Sequence, residues 1–371
     1  VAGRGPSSNL ASNLGANLAS HLAELGAFVA HKLEPWFLAG HRDMSWRRTR
    51  DPYGIWVSEI MLQQTRVETV ERYWSAFIER FPSVQDLAAA DEESVLEAWS
   101  GLGYYRRARL LHRGARYVAA DLDGHIPKDA DALRKIPGVG RYTAGAIASI
   151  AFDQPVPLVD GNVARVFSRL RSLQEPKAQG ADAKDHWTLA QVVVESGTPR
   201  IVSQALMELG AVVCTPKSPQ CLLCPLRTGC VAHREGTTDR IPAPRKKVEQ
   251  PVTHYWAVAI ISRKRLLMVR RPGSGLLAKM WCLPLVEVQG DAPSRAGLKK
   301  ALGVAVEPGE SLASVRHVFS HRIWDMVPVV AKVPKRVQVS GYEEQTWVAP
   351  GERPSGGVPS ATEKLLATVG Y

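Results

Sequence analysis

The sequence predicts a multi-domain protein, an all-α region first and an α+β domain after it, joined by a short linker. Three observations carry this. From Phe28 onward apolar residues recur at helical spacing, as in Trp56, Ile60, Val67, Val70, Trp74, Phe77, Ile78 and Phe81. Residues 234–251, REGTTDRIPAPRKKVEQP, hold proline and charge with no apolar period. Beyond them, the apolar runs 255–261 and 266–270 flank a polar turn in the manner of a strand pair.

Size and charge bound the function. A chain of 371 residues can bury two or three cores. The formal net charge is +11 and the sequence pI about 9.5, a balance that fits a polyanionic partner. No apolar run is long enough to span a bilayer, and no charged stretch followed by an apolar core marks a secretory signal. Four of the five cysteines cluster, which is not a disulfide framework and predicts a reducing compartment.

In chain order, residues 1–27 come first. Asn9-Leu10, Asn13-Leu14, Asn17-Leu18 and His21-Leu22 recur at a spacing that would stripe one helix. Gly15 and the many Asn and Ser residues weaken such a helix, so a mobile tail is predicted, with no function assigned. Residues 28–233 form the helical domain. Its apolar stripe breaks at the polar residues 63–66, and Glu59 lies just upstream. Phe81-Pro82 is a stop. Two helical segments follow, and between them lies GLGYYRRAR, residues 101–109. Glycine, tyrosine and arginine at that density suit a loop that touches DNA, or a capped turn with core tyrosines.

The chain is organised around residues 136–163, IPGVGRYTAGAIASIAFDQPVPLVDGNV. Pro137 interrupts the helical pattern that ends at Lys135, and Gly138 and Gly140 allow a tight turn at positive φ. A helix starts near Arg141. A glycine turn feeding a helix N-terminus aims several N–H groups at one point, which suits a phosphate. Asp160 then precedes another helix, which carries Arg165, Arg169 and Arg171; taken alone it is an ordinary N-cap. A helix over 202–213 leads into Cys214, Cys221, Cys224 and Cys230, with six, two and five residues between successive cysteines. Four thiolates so spaced can hold zinc or an iron–sulfur cluster, and composition leaves both open. Lys217 and Arg227 add positive charge to that loop.

After the linker, residues 252–371 form the α+β domain. Strand candidates also fall at 280–288, 315–319 and 326–331, and helices at 298–302 and 361–368. Cys282 has no nearby Cys or His partner and reads as a buried strand residue.

Taken together, the motifs SEIMLQQT, GLGYYRRAR, IPGVGRYTAGAI, VDGNVARV, ALMELGA, the four cysteines, GLLA at 275–278, Met280-Trp281 and Phe319-Ser320-His321 resemble one family over about residues 28–370. That family is the adenine DNA glycosylases of the MutY type, in the helix-hairpin-helix, endonuclease III-like superfamily. The resemblance implies an all-α helix-hairpin-helix domain with a four-iron four-sulfur loop, followed by an α+β Nudix-like domain. A Glu-rich Nudix box is absent, so metal-dependent pyrophosphatase chemistry is not expected. The implied partner is double-stranded DNA with adenine opposite 8-oxoguanine or guanine, and the implied reaction is hydrolysis of the N-glycosidic bond. A monomer without membrane attachment is expected, cytoplasmic and nucleoid-associated in a prokaryote, nuclear or organellar in a eukaryote.

The resemblance also assigns roles. Glu59 is the acid that protonates the leaving adenine, and Asp160 is the nucleophile or electrostatic partner of the sugar cation. Tyr142 and Asn162 orient these acids or a water. Lyase relatives have Lys where Tyr142 stands, and a phenol forms no Schiff base, so strong lyase activity is not expected. Trp46, Arg47 and Gln204 match adenine-pocket positions. Leu62, Gln64 and Tyr104 match DNA-contacting positions, the last two as wedges, and Gly138 and Gly140 belong to the phosphate-binding hairpin. Phe319, Ser320 and His321 match the loop that inspects 8-oxoguanine. Cys214, Cys221, Cys224 and Cys230 are the cluster ligands, in a structural role. Ser203, Lys279 and Cys282 depart from the residues common in relatives, which are Asn, Gly and Glu. Two other readings stay open: a glycosylase for another mispair, such as thymine opposite guanine, and a non-catalytic iron–sulfur DNA-binding redox sensor.

Overall fold

The structure, a computed structural model, describes residues 7–243, 249–288 and 293–371. Part of the predicted tail (1–6) and of the linker (244–248) lies outside the described residues. The chain divides into two compact units: Val1–Ala88 with Arg113–Lys246, and Ala89–His112 with Lys247–Tyr371. The helices run α1 (Ser7–Gly40), α2 (Pro52–Leu62), α3 (Val67–Arg80), α4 (Val84–Ala89), α5 (Glu92–Ala98), α6 (Arg106–Asp121), α7 (Ala130–Leu133), α8 (Arg141–Phe152), α9 (Gly161–Leu170), α10 (Lys184–Glu195), α11 (Pro199–Val212) and α12 (Val231–Arg234).

In the first unit, the segment read as a mobile tail is, from Ser7, the N-terminal part of α1. The physical reason lies near its end. Leu22 and Leu25 continue the stripe of Val29, Leu33 and Phe37 into one core with α9, α10 and α11. Tertiary packing therefore overrides weak local propensity. Asp51 caps α2, accepting from the N–H groups of Tyr53 at 3.2 Å and Gly54 at 2.9 Å, with Pro52 in the first turn. From Tyr53 to Met61 every residue of α2 is buried, so the helix runs through the unit rather than over it. Helices α7 and α8 and the turn between them make the hairpin expected at 136–141, and α8 is buried from Thr143 to Ile150.

In the second unit, seven strands form one mixed sheet: β1 (Val252–Ser262), β2 (Arg265–Arg270), β3 (Trp281–Cys282), β4 (Leu285–Glu287), β5 (Val315–Val318), β6 (Ile323–Lys332) and β7 (Gln345–Val348). The central path is β3-β2-β1-β6-β5, with β1 and β6 parallel and Tyr255 opposite Met326. Alternation along β1 sends Ala257 and Ala259 to one core and Val258 and Ile260 to the other. Helix α14 (Ser360–Val369) covers the first face and α13 (Arg295–Leu302) the second. The run expected as one strand over 280–288 splits into β3 and β4 at Leu283-Pro284, since proline cannot donate to a ladder. The pattern did not reveal β7, which is short and pairs with β2. Residues 89–112, which the motifs grouped with the helical domain, join this unit through ion pairs of Glu93 with Arg270 at 2.5 Å and of Glu92 with Lys279 at 3.6 Å, and through Arg109 donating to Ala278 O at 2.5 Å.

Candidate active site

The first unit holds an open cavity of about 810 Å³. Trp46, Arg47, Glu59, Leu62, Gln64, Gly138, Gly140, Tyr142, Asp160, Asn162 and Gln204 all line it. Residues far apart in the sequence thus meet because α2, α8, α9 and α11 pack side by side.

Glu59 sits near the end of buried α2 and is only 5% exposed. The Tyr142 hydroxyl donates to Glu59 Oε2 at 2.8 Å and lies 3.2 Å from Met207 Sδ. Burial pushes the Glu59 carboxyl up to about 7, against the pull of the Tyr142 hydrogen bond and of Arg47, and with help from the Asp160 charge. Burial also raises the Tyr142 phenol, so it stays a donor.

Asp160 is the N-cap of α9, accepting from Val163 N–H at 2.8 Å through Oδ1 and from the Asn162 amide at 2.9 Å through Oδ2. Burial raises its carboxyl, and those two donors work the other way. Asn162 is itself fixed: Arg165 donates to Asn162 Oδ1 at 2.8 Å, to Gly210 O at 2.7 Å and to Cys214 O at 2.7 Å. A Cβ at Gly210 would stand 2.6 Å from Asn162 Cβ, so a glycine in ALMELGA lets α11 close on the Asp160 turn.

The hairpin differs from expectation at one glycine. Gly138 has φ +86°, as predicted, but Gly140 is extended at φ −87° and ψ −180°. A Cβ on Gly140 would meet nothing within 4 Å. Its absence leaves the hairpin backbone bare toward the cavity, where a bulky partner can come close.

Sequence reasoning gave Glu208 and Arg42 no role, yet both line the cavity. Glu208 accepts from Arg42 Nη2 at 2.7 Å and from Arg47 Nη2 at 2.9 Å. Burial acts to raise Glu208, but the arginine hydrogen bonds prevail and hold it at about 2. Glu71 fixes the other side of the same turn by accepting from Ser45 N–H at 3.0 Å and from the Ser45 hydroxyl. The signal for Glu208 was present: Gln204, Met207, Glu208 and Ala211 recur at i, i+3, i+4 and i+7, one helix face. Gln204 is oriented by donating to Arg200 O at 3.0 Å.

The remaining predicted residues lie elsewhere. Tyr104 belongs to the second unit, 45% exposed at φ +47°. Phe319, Ser320 and His321 form the turn between β5 and β6, closed by Phe319 N–H to Arg322 O at 2.9 Å. Gln250 donates to both Phe319 O and Ser320 O at 2.9 Å, and Phe319 packs edge-on against Trp324. Ser320 and His321 are exposed.

Cys214, Cys221, Cys224 and Cys230 line a second cavity in the first unit, walled by Val166, Leu170, Leu209, Val213 and Leu226. Among the described residues no three His, Cys, Asp or Glu side chains gather as a site for one metal ion. Arg169, 2% exposed, donates to Cys214 Sγ at 3.4 Å and to the carbonyls of Thr215, Pro216 and Ile241. Among the described residues no helix is long and apolar enough to cross a membrane.

Comparison with known proteins agrees with this geometry. Residues 57–187 match the HhH-GPD superfamily base excision DNA repair protein model, and residues 255–368 match the NUDIX domain model. The chain is 38% identical to the adenine DNA glycosylase of Rattus norvegicus, over 88% of this chain and 75% of that protein. It is 29% identical to the adenine DNA glycosylase of Buchnera aphidicola subsp. Schizaphis graminum, over 89% of this chain and 95% of that one. Among solved structures, a thermostable thymine-DNA glycosylase superposes with a TM-score of 0.53 at 27% identity, covering 58% of this chain and 99% of that one. A helical domain of the HhH-GPD superfamily is therefore followed by a Nudix-fold domain, and the chain belongs to the adenine DNA glycosylases.

Proposed function

We propose that this chain binds duplex DNA, flips out an adenine mispaired with 8-oxoguanine or guanine, and hydrolyses its N-glycosidic bond without strong lyase activity. The observation that carries the reading is two buried carboxylates lining one cavity in different settings. Glu59, pushed up to about 7, keeps a proton to give to an adenine ring nitrogen. Asp160, gripped by an N–H and an amide, stays in place as a negative charge beside the sugar as positive charge develops there. Tyr142 orients the Glu59 carboxyl and, being a phenol, forms no Schiff base. Trp46, Arg47 and Gln204 line the pocket for the extruded base, with Leu62 and Gln64 at the DNA-contacting turn. The bare hairpin backbone at Gly138 and Gly140 suits a phosphate. Tyr104 acts as a wedge, and the exposed turn Phe319-Ser320-His321 reads the oxidised base.

Cys214, Cys221, Cys224 and Cys230 would hold a four-iron four-sulfur cluster. Two observations support the fit: the four cysteines line one cavity, and Arg169 brings a buried positive charge with sulfur and carbonyl partners. When bound, the cluster would supply a cross-link that folds the 214–230 loop. The working partner is double-stranded DNA, met as a monomer.

The reading is tested with Asp160→Asn. It keeps shape and loses charge, so duplex affinity should survive while adenine release stops. Wild-type single-turnover release by this variant would refute the assignment. Purified protein should be brown, with about four irons per chain; colourless protein holding one zinc would refute the cluster.

A further inference from the structure

Residues 99–107, WSGLGYYRR, make a loop with three left-handed positions in a row of four: Gly101 at φ +97°, Gly103 at +70° and Tyr104 at +47°. The first two suit glycine. A tyrosine there is uncommon and persists only where surroundings hold it. Two sets of contacts do so. Arg107 donates to Leu102 O at 3.2 Å and Gly103 O at 3.1 Å, and its guanidinium lies 5.5 Å from the Tyr104 ring centroid and 5.4 Å from that of Trp99. Trp99 Nε1 also donates to Gly103 O at 3.1 Å.

The second set reaches across the sequence. The Ser100 hydroxyl at 2.9 Å and the Tyr105 hydroxyl at 3.2 Å both donate to one carbonyl, Val358 O. Residues 355–358, Ser-Gly-Gly-Val, are tied to the sheet in turn. Trp281 donates through Nε1 to Ser355 O at 2.7 Å and through its backbone N–H to Gly357 O at 3.0 Å. Within the segment Gly356 holds φ +97°, a backbone conformation that glycine adopts freely and other residues do not. All these residues belong to the second unit. The outcome is an aromatic ring left 45% exposed on a backbone clamped from both sides. A ring fixed in advance loses less entropy when it enters a base stack.

We propose that residues 355–358 are a positioning strap for Tyr104: through Ser100 and Tyr105, the C-terminal segment sets how Tyr104 enters duplex DNA, and so contributes to affinity for the mispair. This rests on the reading of Tyr104 as a wedge. Ser100 and Tyr105 are positioning residues, acting on DNA through Tyr104.

The test is a double-mutant cycle in the full-length protein. The probe is a duplex with a non-hydrolysable adenosine analogue opposite 8-oxoguanine for affinity, and the normal duplex for single-turnover release. Ser100→Ala combined with Tyr105→Phe should weaken binding by about five-fold, the scale of one or two lost hydrogen bonds. Release from the saturated complex should be unchanged. In a Tyr104→Ala background the same pair should cost nothing further. Gly356→Ala, which strains the strap's backbone at φ +97° without touching the loop's own side chains, should repeat the pattern. Equal losses with and without Tyr104, or no loss, would overturn the strap. If Tyr104→Ala itself leaves affinity unchanged, the wedge reading fails and the strap fails with it.

Discussion

The cavity around Glu59 and Asp160 and the turn at Phe319-Ser320-His321 solve opposite problems. In the first, burial does the chemistry. Glu59 is held at about 7 by desolvation, and nearby carboxylate oxygens are met by Tyr142, Asn162 and Val163. In the second, Ser320 and His321 stay exposed, while the backbone is pinned through Gln250 to two successive carbonyls. A proton donor needs a dry, over-determined setting to keep an unusual pKa. A recognition tip needs a fixed backbone and wet side chains that exchange water for the partner at small net cost. Substitutions in the two regions should therefore differ greatly in size.

The largest effect should come from the cavity. Glu59→Gln removes the proton donor and should lower single-turnover adenine release by about 10³-fold, the middle of the range for general acids. Asp160→Asn should be at least as severe. Either variant working at the wild-type rate would erase the contrast between the regions.

The pH profile should carry the same signature. Release should fall as pH rises through about 7, where Glu59 gives up its proton. The stability sign is definite, because the folded carboxyl sits above its ordinary 4.5. Its contribution is present below that value and is lost as pH rises through about 7. Glu59→Gln should flatten both slopes.

Glu208 should behave in the reverse sense. Held at about 2, it contributes stability present above its ordinary 4.5 and lost as pH falls toward 2. Glu208→Gln leaves buried Arg47 short of its carboxylate and should cost about 3 kcal/mol in denaturant unfolding. A loss within error of zero would mean that Arg47 finds another partner.

The smallest effect belongs to the turn. Ser320→Ala removes one exposed hydroxyl and should change the ratio of affinities for adenine opposite 8-oxoguanine and opposite guanine by about five-fold, near 1 kcal/mol. Catalytic release at saturation should not move. An unchanged ratio would leave damage recognition to residues outside the turn.

How much of this was legible depends on the range of the forces involved. The hairpin, the Asp160 cap and helices α8, α9 and α11 were readable because turn glycines, an N-cap and apolar period act locally. The first turns of α1 were not, since Asn and Gly argue against helix and the core that overrides them comes from Leu22 onward and from α10 and α11. The burial of Glu59 was hidden by its type, because a glutamate on a helix normally faces water, although the surrounding run of apolar residues in α2 pointed inward on all sides. Glu208 was visible only as a spacing. The attachment of residues 89–112 to the second unit could not be read at all, since Glu92, Glu93, Ser100 and Tyr105 look like surface and core residues until their partners in the C-terminal segment are in view.

Adenine release from a mispair is the activity proposed for the Glu59–Asp160 cavity. Single-turnover base release on duplexes differing only in the mispaired bases tests it most directly. Adenine should leave when opposite 8-oxoguanine and opposite guanine, with little strand cleavage before base treatment, and thymine opposite guanine should stay in place. Release of thymine with adenine retained, or no release from any duplex by brown, DNA-binding protein, would contradict it.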